Sequence, residues 1–396
     1  MLVSQLNLRH LRLLLAVVET GSVTKASQTC NVSQPAVTQA LKNLETQFGT
    51  ALFDRRGNGV FANELGHLVA GRVRRAIDFL DSAMATLAPR LQLTATTAKL
   101  RALVAVANAE NFSIAARQLG VAQPTIHRAI TQLEAEIGRA LFKRTQYGSA
   151  PTRAGRILAG AAQLAFAELT QAEMELAEAM GQSGQRLTIG GMPLSRSYIL
   201  PAAIARFHQN HPSVSVRVLE GTYASLLTGL RRGEIDFLFG ALRDPLPADD
   251  IVQQHLFNDE LIVVAGPGHP LAGQSAPPKI ALADYPWVVG IPGTPVRGQF
   301  DAFFASLGAG QPISLVETSS MILMRELLHA GPYLGCISQR QVESEIRSGS
   351  MTVLPFTLAE SRRPIGITTR ANWKPTRVQD DFLGLIRAEF AADERA

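Results

Sequence analysis

Apolar residues recur at helical spacing near the start of the chain: Leu8, Leu11, Leu15 and Val18 fall on one face. A short helix over residues 23–28 follows, with Ser22 as its cap. After a tight turn, a third helix begins with Pro35 in its first turn, where a missing N–H does no harm, and runs to Phe48. It turns Val37, Leu41 and Leu44 inward and leaves Gln34, Ala36, Thr38, Gln39 and Lys42 facing out. The stretch "LFDRRGNGVFAN" reads as two short strands around a glycine-bearing turn, and residues 63–87 as a long helix without internal proline.

The same pattern returns 89 residues later. Residues 11–55 and 100–144 align without a gap and share 17 identities in 45 positions. In the second copy the apolar helix carries Leu100, Leu103, Val104 and Ala107. The short helix spans 113–118 with Asn111 or Ser113 as cap, Gly120 supplies a positive φ, and Pro124 opens the third helix. That helix buries Ile126, Ile130 and Leu133 and exposes Gln123, Thr125, His127, Arg128 and Thr131. A hairpin, "LFKRTQYGSAPT", and a long helix over 152–180 complete the copy. Two short helices joined by a turn, the second exposing polar side chains at its start, make a helix-turn-helix, and the hairpin adds a basic wing. Gln, Thr, His and Arg can bond base edges, and a helix start suits phosphate. The candidate DNA contacts are therefore Ser33, Gln34, Ala36, Thr38, Gln39, Lys42, Arg55 and Arg56, with Gln123, Thr125, His127, Arg128, Lys143 and Arg144 in the second copy.

From Arg186 the pattern becomes strands alternating with helices, which predicts βαβ units on parallel sheets. The alternation restarts after "ELIVVAGPGHPLA", so two lobes are expected: one of residues 185–264 and 355–396, the other of 265–354. The chain would cross between them near 265–271 and 353–363. Ligands of such folds bind at strand C-termini and helix N-termini. The cleft candidates by position are Leu194, Ser195, Gly221, Thr222, Gly293, Thr294, Thr318 and Ser319, each hydroxyl also being an ordinary helix-cap candidate.

Charge sharpens this division. Of the +5 net charge, residues 1–184 hold 19 Lys and Arg against 13 Asp and Glu, and residues 185–396 hold 19 against 20, so the surplus lies with the repeat. Cys30 and Cys336, in different expected domains, read as buried thiols rather than a disulfide or metal pair. The early apolar run at 13–18 is too short for a signal peptide, and no run approaches a membrane span, so a cytoplasmic protein is expected. "GIPGTPVRG" and "TIGGMP" match neither nucleotide-binding loop motif, and no G-x-S-x-G turn, HExxH or Cys/His cluster occurs. His208 and His211 read as a helix end. No enzyme, cofactor or metal is expected.

The N-terminal stretch through "SQPAV", "LE", "GTALFDR" and Gly66 resembles the winged helix-turn-helix of LysR-type transcriptional regulators. The second copy resembles it as well, with Ala115-Ala116 and Thr152-x-x-Gly155. It departs at Ala122, where the first copy has Ser33 as cap, and the first copy departs at Asn63, where the family usually has Thr. The C-terminal half, through "LRRGEIDFLFGAL" and "SRRPIGITTR", resembles the family's effector domain. That likeness implies a two-lobed α/β fold like periplasmic binding proteins, closest to regulators of sugar-uptake and aromatic-acid genes. The expected architecture is two all-α winged helix-turn-helix domains with long helices (1–92 and 93–184), then the α/β domain (185–396). The resemblance further implies double-stranded DNA and an organic-acid or sugar-like effector as partners. It also implies a dimer or tetramer, with Leu158, Ala162, Leu169 and Leu176 on the dimerisation face of the second long helix. Family members usually carry one helix-turn-helix unit. Either both copies read DNA here, or one serves dimerisation or protein interaction.

Overall fold

The structure is a computed structural model that describes residues 5–56, 59–146, 148–307, 312–358 and 362–390. It forms two compact units. One holds the described residues up to Arg186 together with Arg231–Glu234, and the other holds Leu187–Leu230 and the described residues from Ile235 onward. Both helix-turn-helix copies thus belong to a single unit.

In the first copy α1 (Leu8–Thr20), α2 (Val23–Thr29) and α3 (Gln34–Phe48) precede a hairpin, β1 (Phe53–Arg56) and β2 (Gly59–Ala62), and the long helix α4 (Glu64–Leu87). A single turn, α5 (Leu91–Thr94), leads to the second copy. This comprises α6 (Thr97–Ala109), α7 (Phe112–Leu119), α8 (Gln123–Ile137), the hairpin β3 (Phe142–Thr145) and β4 (Gly148–Pro151), and α9 (Arg153–Ala179). Residues 57–58 and 147 lie outside the described residues.

The copies share their fine geometry. Glu45 accepts hydrogen bonds from the Leu52 and Phe53 amides, at 2.9 and 3.2 Å, and Glu134 accepts one from Leu141 at 2.7 Å, so the shared "LE" tethers each wing. A Cβ on Gly66 would stand 2.1 Å from the Leu52 carbonyl oxygen, and one on Gly155 would stand 2.1 Å from that of Leu141. Only glycine lets the long helix leave the wing this closely. The two departures from the family pattern resolve differently. Asn63 caps α4 by accepting from the Gly66 amide at 2.8 Å, as Thr152 does from Gly155 at 3.2 Å. Ser33 caps α3, but Ala122 gives α8 no side-chain cap.

The long helices pair with each other inside the chain. Arg72 of α4 donates to Glu175 at 3.0 and 2.6 Å, to Gln171 at 2.7 Å and to Glu168 at 3.0 Å, and Arg75 donates to Glu168 at 2.9 Å. Partners fall in number as α4 rises, so α4 and α9 run antiparallel. Burial acts to lower the Arg72 pKa, but the hydrogen bonds and charges of Glu175 and Glu168 outweigh it and raise the guanidinium above its usual range. Around this network Val69, Val73, Ala76, Ile77, Leu80 and Met84 join one core with α9. Leu158, Ala162, Leu169 and Leu176, expected on a dimerisation face, take part in this packing. All four are buried, in one core with α4 and α6 of the same chain.

The second unit has two five-stranded sheets. The first, ordered β6-β5-β7-β14-β8, takes β5 (Arg186–Gly191), β6 (Ser215–Leu219), β7 (Phe237–Ala241), β8 (Ile251–Asp259) and β14 (Arg363–Arg370). The second, ordered β11-β10-β12-β9-β13, takes β9 (Leu261–Ala265), β10 (Trp287–Val289), β11 (Leu315–Glu317), β12 (Leu334–Ser338) and β13 (Thr352–Leu354). Helices α10 (Leu200–Asn210), α11 (Tyr223–Arg231), α12 (Pro295–Leu307), α13 (Met321–Ala330), α14 (Glu343–Arg347) and α15 (Arg377–Phe390) complete it.

Three expectations change here. The sheets are mixed: β14 runs antiparallel to β7 and β8, and β9 to β12 and β13. The first lobe crossing falls at Glu260, before β9 rather than after it. The second lies between β13 and β14, and its residues 359–361 are outside the described residues. Finally, the nine-residue strand β8 was not expected, because "IVQQHLFND" does not alternate cleanly; it is an edge strand bonded only to β14.

Candidate nucleic-acid interface and effector cleft

All fourteen candidate DNA contacts are exposed. They fall on the first two to three turns of α3 and α8, on the α3 cap Ser33, and on the first strand of each wing. The copies differ in how free these side chains are. On α3, Gln39 donates to Asn43 at 2.8 Å and Thr38 to the Gln34 carbonyl at 3.2 Å. On α8, His127 lies flat on Phe112, with ring centroids 4.2 Å apart and planes at 5°, and Gln123 accepts from Ser113 at 3.0 Å. His127 is thus held against α7, and Arg128 carries the second copy's distinctive reach. Among the described residues Lys42, Arg55, Arg128, Lys143 and Arg144 form no ion pair, whereas Arg56 approaches Asp54 at 3.5 Å.

In the second unit a cleft of about 700 Å³ is lined by seven of the eight positional candidates: Leu194, Gly221, Thr222, Gly293, Thr294, Thr318 and Ser319. Ser195 is the exception. It is fully buried and its hydroxyl donates to the Met192 carbonyl at 2.7 Å, where it closes the turn before the π-helical segment Ser195–Ile199. Thr222, Thr294 and Thr318 accept from the amides of Ser225, Arg297 and Ser320, so each is also a local cap.

The positional rule missed the charged part of the cleft. Arg243 lines it just beyond the end of β7, its guanidinium 4.3 Å from the Tyr223 ring centroid, with no ion pair among the described residues. Burial pulls its pKa below the ordinary value; the nearby Tyr223 phenol opposes this and the Arg363 charge reinforces it. Arginine stays protonated regardless, so the cleft contains a half-buried cation without a counter-charge. By contrast, Arg196 is paired with Glu220, and Arg363 donates to Asp259 at 2.9 and 2.7 Å. The Tyr223 hydroxyl is buried and has no hydrogen-bond partner among the described residues. Arg243 follows the strand in "FLFGALRD" as Gly221 and Thr222 follow theirs, and that position is its signal in the sequence.

Cys336 is buried at the cleft wall, its thiol pushed up to about 12 by burial; Cys30 is only half-buried, and both are free. His208 is exposed and reaches the Val214 carbonyl at 3.1 Å, while His211 stacks on Phe207 and meets Asp381 at 3.2 Å. No helix among the described residues is long and apolar enough to cross a membrane.

Two winged helix-turn-helix copies ahead of a two-lobed α/β domain define a class: DNA-binding regulators with an effector domain. The sequence model of bacterial regulatory helix-turn-helix proteins of the lysR family matches residues 8–67 and again 97–156, and the LysR substrate-binding domain matches 180–391. The chain belongs to the LysR family of DNA-binding transcriptional regulators. It is 33% identical to the transcriptional regulator GalR of Pseudomonas putida over 92% of each chain, an extent too long to leave out either copy entirely. It is 26% identical to PcaQ of Agrobacterium fabrum over 70% of this chain and 89% of that one. Full-length OxyR from Pseudomonas aeruginosa shares the fold at a TM-score of 0.52 and 23% identity, covering 74% of this chain and 93% of that one. CbnR in complex with its target DNA does so at 0.50 and 21%, covering 73% and 98%.

Proposed function

We propose that both recognition helices, α3 and α8, read DNA, and that an anionic small molecule held in the cleft of the second unit controls that reading. The observation that carries the second half is Arg243, a half-buried guanidinium without a counter-charge in a cleft whose other arginines are neutralised. A carboxylate there would gain a charge-assisted bidentate bond, with the Tyr223 hydroxyl as a further donor. Helix starts and caps at Thr222, Thr294 and Thr318 add amides and hydroxyls suited to a carboxylate or a hydroxy acid. Closure of the two lobes on the ligand, in the manner of periplasmic binding proteins, would bias the DNA-bound arrangement. The chain acts in the cytoplasm and performs no catalysis.

For DNA, the reading assigns Arg128 to guanine and Gln34 and Gln39 to adenine, with Arg55, Arg56, Lys143 and Arg144 serving phosphate or the minor groove. Titration calorimetry against a panel of small carboxylates and hydroxy acids tests the effector reading. Arg243→Gln should abolish binding of whichever acid binds the native protein, while Ser195→Ala leaves it unchanged. Undiminished binding in Arg243→Gln, or preference for neutral sugars, would contradict it.

A further inference from the structure

The pairing of α4 with α9 has a symmetry that follows from the repeat. The register that sets Arg75 opposite Glu168 also sets Arg72 opposite Gln171 and Ile77 opposite Phe166. Ile77 and Phe166 are equivalent residues, 89 positions apart. Two equivalent helices that cross antiparallel at equivalent positions are related by a local two-fold axis. Everything attached to them in the same way, including α3 and α8 with their wings, is related by it too. Half-sites set in inverted orientation on DNA call for this relation between two helix-turn-helix units, and it is commonly met by a dimer.

The charges break that symmetry. Arg72 and Arg75 have Ala161 and Leu164 as equivalents, and Glu168 and Glu175 have Phe79 and Thr86. Were two α4 helices to pair in this register, Arg75 would face Phe79 and Arg72 would face Ser82. Were two α9 helices to pair, Glu168 would face Leu164 and Glu175 would face Ile157. Each leaves charges buried without partners, which is costly, so the seam selects α4 with α9. The two readers that this seam joins are also unlike, offering Thr38 and Gln39 in one copy and His127 and Arg128 in the other.

We infer that one chain is a built-in pair of readers and that its operator carries, for each chain, two unlike half-sites rather than an inverted repeat. This rests on the proposal that both copies read DNA. Arg128 assigns a guanine to one half, and Gln34 and Gln39 assign an adenine to the other.

Two experiments on the full chain decide it. Selection from random duplexes should enrich two different motifs at fixed spacing, and Arg128→Ala should erase the guanine preference in one motif and leave the other intact. An enriched inverted repeat of one motif, or a single motif, would overturn the inference. In a Cys30→Ser background, Phe79→Cys/Leu164→Cys sets two half-buried, uncharged seam positions opposite each other. A short bismaleimide should close them within one chain, giving a denatured species of single-chain mass. A product of doubled mass would place the seam between chains and refute the built-in pair. If selection enriches nothing, the reading of DNA by both copies fails, and the cross-link still decides whether the pair is internal.

Discussion

Replacing Arg72 with Met tests the seam at its most loaded point. The Arg72 side chain is 7% exposed and its partners Glu168 and Glu175 are 6% and 18% exposed, so the substitution strands two carboxylates in a core. Removing one member of a buried pair costs about 3–5 kcal/mol. Arg75 still reaches Glu168, which places the expectation in the lower half of that range. Both tryptophans, Trp287 and Trp373, lie in the second unit. Urea unfolding can therefore be followed unit by unit, with tryptophan fluorescence for the second and far-ultraviolet circular dichroism carrying the helical first. With an m-value of about 2 kcal/mol per molar urea, the helical transition should move down by about 1.5–2 M while the fluorescence midpoint stays in place. The double variant Arg72→Met/Glu175→Met, which leaves Glu168 paired with Arg75, should recover most of the loss, since an apolar substitute for a buried ion pair is often neutral. A shift of under about 0.5 M for Arg72→Met would equate the network with an exposed ion pair and refute the account of the seam.

Other consequences are as direct. Gly66→Ala and Gly155→Ala each drive a methyl into a carbonyl oxygen and should destabilise the first unit by about 1–3 kcal/mol or more; unchanged circular dichroism midpoints would mean that the helix can step back from the wing. His269 is buried and, chiefly for that reason, its pKa lies below the ordinary histidine value of 6.5. The unfolded chain then binds the proton more readily, so the second unit should lose stability as pH falls through about 6.5. Fluorescence-monitored unfolding between pH 7.5 and 5 should show this loss, and His269→Asn should flatten it; an equal slope in the variant assigns the effect elsewhere.

The repeat, the caps and the recognition helices were legible because they rest on local chemistry: Pro35 and Pro124 start helices, Ser22 and Asn111 cap them, and apolar positions recur at helical spacing. What α9 packs against was not legible. An apolar stripe such as Leu158, Ala162, Leu169 and Leu176 has the same spacing whether its partner is another chain or α4, and the deciding residues, Arg72 with Glu168 and Glu175, lie about a hundred positions apart. In the cleft, strand ends and helix starts together placed seven of the eight candidates on the lining. Ser195 failed because its hydroxyl closes its own turn, and Arg243 was overlooked because hydroxyl-bearing helix starts drew the choice away from a charge at a strand end. The edge strand β8 stayed hidden because half of it faces solvent and its polar residues break the alternation.

The most direct test of the central claim, that both copies read DNA, is a footprint on one operator of the native chain and of two variants, Gln34→Ala/Arg55→Ala and Arg128→Ala/Arg144→Ala. Each variant should lose protection over a different segment, with its affinity falling less steeply with salt than the native chain's, because fewer phosphates are neutralised. If Gln34→Ala/Arg55→Ala leaves the footprint and the salt slope unchanged while Arg128→Ala/Arg144→Ala abolishes binding, the first copy serves assembly alone and the claim is wrong.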